Sequence, residues 1–141
     1  MVGVIVVSHG SLAYYLIETA EMIVGSQENL HPIGLQTHQG LEDITNEIND
    51  ACLQLNEKSR GVLVLTDIQG GTPGNAACML VKTHHVSIIS GVNLPMLLEV
   101  LLCRQDKSLE ELSEVALHAG KEGIRDISAL IRKKIESNDD G

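Results

Sequence analysis

The chain of 141 residues contains no phenylalanine and no tryptophan, and Tyr14 and Tyr15 are its two tyrosines. Any interior must therefore be built from aliphatic side chains. The aromatic platforms on which single-stranded nucleic acids stack are missing as well. Positive charge is scarce: 10 Lys and Arg stand against 19 Asp and Glu, a net charge of −9. This excludes the basic footprint that nucleic-acid binding requires. The three cysteines, Cys52, Cys78 and Cys103, are odd in number, widely spaced and not in a C-x-x-C motif. They predict reduced thiols in a cytoplasmic protein. No apolar run reaches the ~20 residues of a membrane span. The longest candidate, Leu94 to Cys103, is broken by Pro95 and Glu99. The opening Met-Val-Gly-Val-Ile lacks the basic segment of a secretory signal. No internal repeat, low-complexity stretch or linker is visible.

What is present reads as one folded domain. Hydrophobic residues make up 43 % of the chain, enough for a core without disulfide or metal staples. Val2 to Ser8 is a continuous β-branched run, as in a strand buried on both faces. From Ser11 the apolar spacing becomes helical, through Leu12, Leu16 and Ile23, until Gly25 ends it. Leu30 to Gln36 is a weaker strand, dented by Pro32 and Gly34. Gly40 to Asn56 is an amphipathic helix through Leu41, Ile44, Ile48, Cys52 and Leu55. Gly61 to Thr66 is a second buried strand, followed by the loop Asp67 to Pro73. A short helix over Asn75 to Lys82 and a strand over Val86 to Ser90 come next. Pro95 suits a first helical position before Met96 to Cys103, and Ser108 caps a last amphipathic helix. Ile124, Ile127, Leu130 and Ile131 fit a helix, while Gly123 to Ser128 also fits a short strand. Residues 1–136 are expected to form the domain and 137–141 a solvated tail.

Alternation of this kind predicts an α/β fold: a doubly wound, mainly parallel sheet with helices on both faces, strand order 2-1-3-4. Ligands of such sheets bind beyond the carboxyl ends of the strands, where the strand order reverses. The residues just past strands one and three are His9 and Asp67. A carboxylate beside a histidine fixes its tautomer and leaves the other ring nitrogen a free lone pair, a nucleophile or base. His9 precedes a helix whose first amides, at Gly10 and Ser11, favour an anion. Gly70, Gly71 and Thr72 lead into another, where two glycines let backbone approach an anion and Thr72 is placed to cap. Together they read as a nucleophilic histidine beside a phosphoryl-binding nest. Taken singly, each has a plainer reading: a histidine after a strand is more often a surface residue, and a Gly-Gly pair a turn. His31, His38, His84, His85 and His118 show no zinc spacing, and no metal or cofactor is expected. Neither dinucleotide nor P-loop motif occurs.

The stretches Val4 to Gly10 (VIVVSHG), Thr19 to Gly25 (TAEMIVG), Gly61 to Asn75 (GVLVLTDIQGGTPGN) and Gly91 to Glu99 (GVNLPMLLE) resemble the IIA domain of the mannose family of the sugar phosphotransferase system. The resemblance runs through Gly123, with four motifs in the right order. It implies a phosphohistidine carrier, accepting a phosphoryl group from HPr on His9 and passing it to a separate IIB protein during sugar uptake. The membrane is reached only through the IIC and IID subunits. It further implies that Asp67 orients His9 and that Gly70 to Thr72 cradle the phosphoryl group, Thr72 replacing a serine and Gln69 a tryptophan of some members. It also implies a homodimer with the C-terminal strand, here Gly123 to Ser128, exchanged between subunits. The Ser8 to Ser11 segment (SHGS) also resembles the opening of tetrapyrrole metal chelatases. A regulatory or dihydroxyacetone-kinase-linked carrier shares the histidine chemistry.

Overall fold

A computed structural model describes residues 1–56, 59–81 and 85–139. The elements follow in the order β1 (Gly3–His9), α1 (Leu12–Val24), β2 (Leu30–Leu35), α2 (Leu41–Asn56), β3 (Val62–Thr66), α3 (Thr72–Cys78), β4 (Val86–Ser90), α4 (Leu94–Cys103), α5 (Leu109–Glu122) and α6 (Ile127–Asp139). The four strands form one sheet in the order β2-β1-β3-β4, and every neighbouring pair is parallel. Val4 lies opposite Leu30 on one side and Leu63 on the other. The central strands carry the continuous apolar runs because both of their faces are covered.

Alternation along those strands feeds two cores. Val2, Val4, Val6, Leu63 and Leu65 face one layer, meeting Ala13, Ile17 and Ala20 of α1, Leu97 and Val100 of α4, and Leu112 and Ala116 of α5. Ile5, Val7, Val62 and Val64 face the other, against Ile44, Ile48 and Cys52 of α2 and Ala76 and Ala77 of α3. The described core holds no aromatic side chain, as the composition requires. Each fully buried Val, Leu or Ile contributes about 1.5–3 kcal/mol. Burial pushes the Cys52 thiol up to about 11, so it stays a neutral, inert packing group.

The amino ends of the strands are closed by a residue that periodicity does not reveal. Arg104 follows α4 and is 2 % exposed. Its guanidinium donates to the carbonyls of Asn29 (2.8 Å), Val2 (3.4 Å) and Glu28, and to the Gln27 side chain (3.1 Å). It thus ties α4 to the entries of β1 and β2. Arg104→Met keeps the apolar stem but leaves these acceptors unmatched. It is expected to lower stability by about 3 kcal/mol, read from urea unfolding. A loss below about 0.5 kcal/mol would show that water replaces the guanidinium.

Several expected boundaries shift. β1 extends to His9. The third helix begins at Thr72 rather than Asn75 and ends at Cys78; Lys82 and His84 lie outside the described residues. At the C-terminus the helical alternative prevails: Ile124 to Asp126 are irregular and α6 runs to Asp139, so Ser137 to Asp139 are helical. Among the described residues the sheet has four strands, and the alternative of a fifth over Gly123 to Ser128 is not what this chain adopts. The Asp126 carboxylate accepts the Ala129 N–H (3.0 Å) and so starts a helix inside that stretch. No helix of the described residues is long and apolar enough to cross a membrane.

Candidate functional site

The α1 crossover runs from β1 outward to β2, and α2 crosses back over β1 to β3. The loops after β1 and β3 therefore part, leaving a crevice at their carboxyl ends. His9 is the last residue of β1 and Asp67 the first after β3. The Asp67 N–H donates to the Val7 carbonyl (3.1 Å), which carries the sheet ladder up to the site.

The two side chains, 58 positions apart in sequence, meet directly. His9 Nδ1 is 2.7 Å from Asp67 Oδ2. The same oxygen accepts the His9 backbone N–H (2.9 Å), and Oδ1 accepts the Ile68 N–H (2.9 Å). Burial by itself would raise the Asp67 carboxyl. The hydrogen bonds from the His9 backbone and ring and from the Ile68 backbone outweigh it and hold the carboxyl below its ordinary value. An ionised carboxylate only accepts, so Nδ1 carries the proton, and in the neutral ring Nε2 holds the lone pair. The His9 side chain is 49 % exposed and that of Asp67 10 %. The arrangement fixes a half-exposed imidazole at the crevice mouth, with Nε2 the ring nitrogen that Asp67 does not engage.

Because the Asp67 carboxyl is depressed in the folded state, its ionised form stabilises the fold above its unfolded value of about 3.9. That contribution is lost as pH falls through the lower folded value. Asp67→Asn is therefore expected to flatten the acid limb of the stability profile below about pH 4, measured by urea unfolding. An unchanged limb would assign the acid sensitivity to other carboxylates.

The β3–α3 loop backs the ring. A Cβ on Gly71 would come within 2.8 Å of His9 Cε1 and 3.3 Å of Nε2, so only glycine fits there without displacing the imidazole. Gly10 and Ser11 form the loop into α1, and Ser11 is its N-cap without a side-chain bond. The expectation that Thr72 caps α3 is corrected: Gly71 takes the N-cap position, no side-chain bond is made, and Thr72 is already helical. Gln69 and Gly70 are exposed on the loop.

The other described histidines lie apart. His31, His38 and His118 are exposed, and His85 Nε2 stands 3.6 Å from Glu110 at the amino end of β4. Among the described residues no group of three or more His, Cys, Asp and Glu is placed to hold a metal. Two residues escaped the sequence reading. Ser8 is completely buried, and its Oγ accepts the Ala13 N–H (2.8 Å) in the first turn of α1. Gly34 of β2 lies against Gly10. The faint signals were a serine ending an apolar run and a glycine denting a strand.

Comparison with known proteins matches residues 3–117 to the EIIA-man family, described as PTS system fructose IIA component. The chain is similar to the PTS system mannose-specific EIIAB component of Escherichia coli K12, 37 % identical over 130 residues. That match covers 91 % of this chain and 40 % of the relative, so the chain spans well under half the length of that protein. It is also similar to the PTS system fructose-specific EIIA component of Bacillus subtilis, 31 % identical over 141 residues, covering 99 % and 96 %. Among solved structures, phosphotransferase system component EIIA from Streptococcus agalactiae superposes with a TM-score of 0.83 at 28 % identity, covering 92 % and 99 %.

Proposed function

This chain belongs to the EIIA-man family of phosphotransferase-system IIA components, and on that premise we propose that it is a cytoplasmic phosphohistidine carrier for sugar uptake. His9 accepts a phosphoryl group from HPr and delivers it to a separate IIB protein. The observation that carries this reading is the hydrogen bond between His9 Nδ1 and Asp67, which leaves Nε2 of a half-exposed ring for the chemistry.

Transfer proceeds at Nε2. Its lone pair attacks phosphorus, the new N–P bond forms, and the donor's N–P bond breaks with its electron pair returning to the donor imidazole. The proton on Nδ1 stays in place. The positive charge that the His9 ring acquires faces the Asp67 carboxylate, which stabilises it. Gly10 and Ser11 on one side and Gly70, Gly71 and Thr72 on the other supply backbone amides for the phosphoryl oxygens, with Gly71 seated against the ring edge. Neither loop contains Lys or Arg, so the excess of acidic residues steers a partner with a basic rim toward the site. A carrier must release its partners quickly, and a small interface serves that.

A homodimer is part of this proposal. Its support is the C-terminal helix, on which Ile127, Leu130, Ile131 and Ile135 are all exposed and nothing is buried. A second copy would cover them. The family match and the relatives favour the carrier over the chelatase and the dihydroxyacetone-kinase-linked readings. The test is intact-protein mass after incubation with phosphoenolpyruvate, enzyme I and HPr. One acid-labile phosphoryl group is expected; none, with HPr itself phosphorylated, would overturn the proposal.

A further inference from the structure

The loop that carries His9 is held from three directions, and only one of them is Asp67. Ser8 sits at the end of β1, fully buried, and its Oγ accepts the Ala13 N–H at 2.8 Å. The loop from residue 8 to residue 13 is thereby pinned across its base. The N-cap of α1 is Ser11, whose side chain makes no cap bond, so Ser8 satisfies an amide that the cap leaves unmet. Hydroxyl and amide are both shielded from water, and losing either partner leaves the other unsatisfied.

The third hold comes from β2. The Gly10 N–H donates to the Leu35 carbonyl at 2.8 Å, and β1 pairs with β2 up to His9 opposite Leu35. This draws the Gly10 carbonyl down onto Gly34. A Cβ at position 34 would lie 2.0 Å from the Gly10 oxygen and 3.2 Å from Tyr14 Cε2. Backbone, not a flexible side-chain end, fills that space. A methyl group there must push Gly10, and His9 with it, away from β2 by about 1.5 Å to restore an ordinary contact.

We propose that Ser8 and Gly34 are positioning residues for phosphoryl transfer at His9: neither touches the phosphoryl group, and together they set the height and angle of the imidazole against Asp67 and Gly71. The inference rests on His9 being the phosphoryl acceptor. Ser8 acts through the first turn of α1 and Gly34 through the Gly10 carbonyl, so they constrain the loop independently. A displacement of about 1 Å at a reacting group costs on the order of 100-fold in rate. One lost hydrogen bond in the frame costs roughly tenfold.

The test compares Ser8→Ala, Ser8→Thr and Gly34→Ala with wild type, using rapid-quench transfer from phosphorylated HPr. Nitrogen-15 shifts of the His9 imidazole are recorded on the same samples. Ser8→Ala is expected to transfer roughly tenfold slower with the KM for HPr unchanged, and Ser8→Thr, which keeps the hydroxyl, to recover most of the rate. Gly34→Ala is expected to fall about 100-fold. In both slow variants the imidazole shifts should move away from the single Nδ1–H tautomer, which mere destabilisation of a still folded chain would not cause. Should Gly34→Ala fail to fold, the Ser8 pair decides. Wild-type rates and unchanged imidazole shifts in Ser8→Ala, or slow transfer in Ser8→Thr equal to that in Ser8→Ala, would overturn the inference. A wild type that takes no phosphoryl group would instead overturn the carrier reading, while the imidazole shifts still report whether the loop is held as argued.

Discussion

His9→Ala is expected to take up no phosphoryl group from HPr while keeping its fold. The loss should be complete, because the variant has no ring nitrogen at the crevice mouth. The remaining described histidines are exposed elsewhere or paired loosely with Glu110, and none has a carboxylate fixing its tautomer at 2.7 Å as His9 has. Retention of the fold follows from what the substitution leaves alone. The His9 side chain is half exposed and belongs to neither core. The backbone N–H at position 9 and that of Ile68 still donate to Asp67, so the carboxylate is not stranded. A stability change within about 1 kcal/mol is expected. Intact mass, with circular dichroism as the fold control, decides the matter. A phosphoryl group that persists in the variant would move the acceptor to another residue.

Asp67→Ala should leave His9 phosphorylatable but slow. The substitution removes the acceptor for the His9 backbone N–H, the His9 ring and the Ile68 N–H at once. The imidazole is then free to rotate and to place its proton on Nε2, where it blocks the attacking lone pair. The carboxylate facing the charged ring in the phosphorylated state is lost too. Together these place the expected loss in transfer rate at about 10²–10⁴-fold, the span for removing a group that supports proton placement at the reacting atom. The defect belongs in the chemical step, so the KM for HPr should change little. Wild-type transfer rates would remove Asp67 from the mechanism whatever its distance from His9.

The two slow-loop substitutions and these two site substitutions separate layers of one construction. His9 supplies the nucleophile, Asp67 its tautomer, and Ser8 and Gly34 its position. Because Ser8 and Asp67 act on the same imidazole, their effects are expected to be non-additive in a double variant. Arg104 lies at the opposite end of the sheet, and its substitution should add independently.

Much of the architecture is legible in the chain alone, for a physical reason. Val62 to Leu65 and Val4 to Val7 are apolar at every position, which only a strand covered on both faces tolerates. The helical periods over Leu12 to Val24 and Leu41 to Asn56 supply those covers. Once strands and helices alternate, handed crossovers leave few topologies, and 2-1-3-4 places His9 and Asp67 on one rim. The C-terminal stretch resists the same treatment. Ile124 and Ile127 are β-branched and suit a strand, yet with Leu130 and Ile131 they also match a helical period, and a segment that buries nothing has no face to break the tie.

What composition and periodicity determine for this protein is therefore the aliphatic α/β sheet and the place where its loops part. Contacts that depend on register and close approach belong to the tertiary structure. Whether a glycine in a strand is a weakness or a seat for another backbone depends on Gly10 arriving above Gly34. Whether a serine caps a helix from five residues away depends on Ser8 pointing inward at the end of β1. Whether an arginine is a surface charge or a clamp depends on three carbonyls converging on Arg104. Hydrophobic burial is non-directional and leaves its pattern along the chain; hydrogen bonds and steric contacts between distant segments are directional, and only the folded backbone brings their partners together.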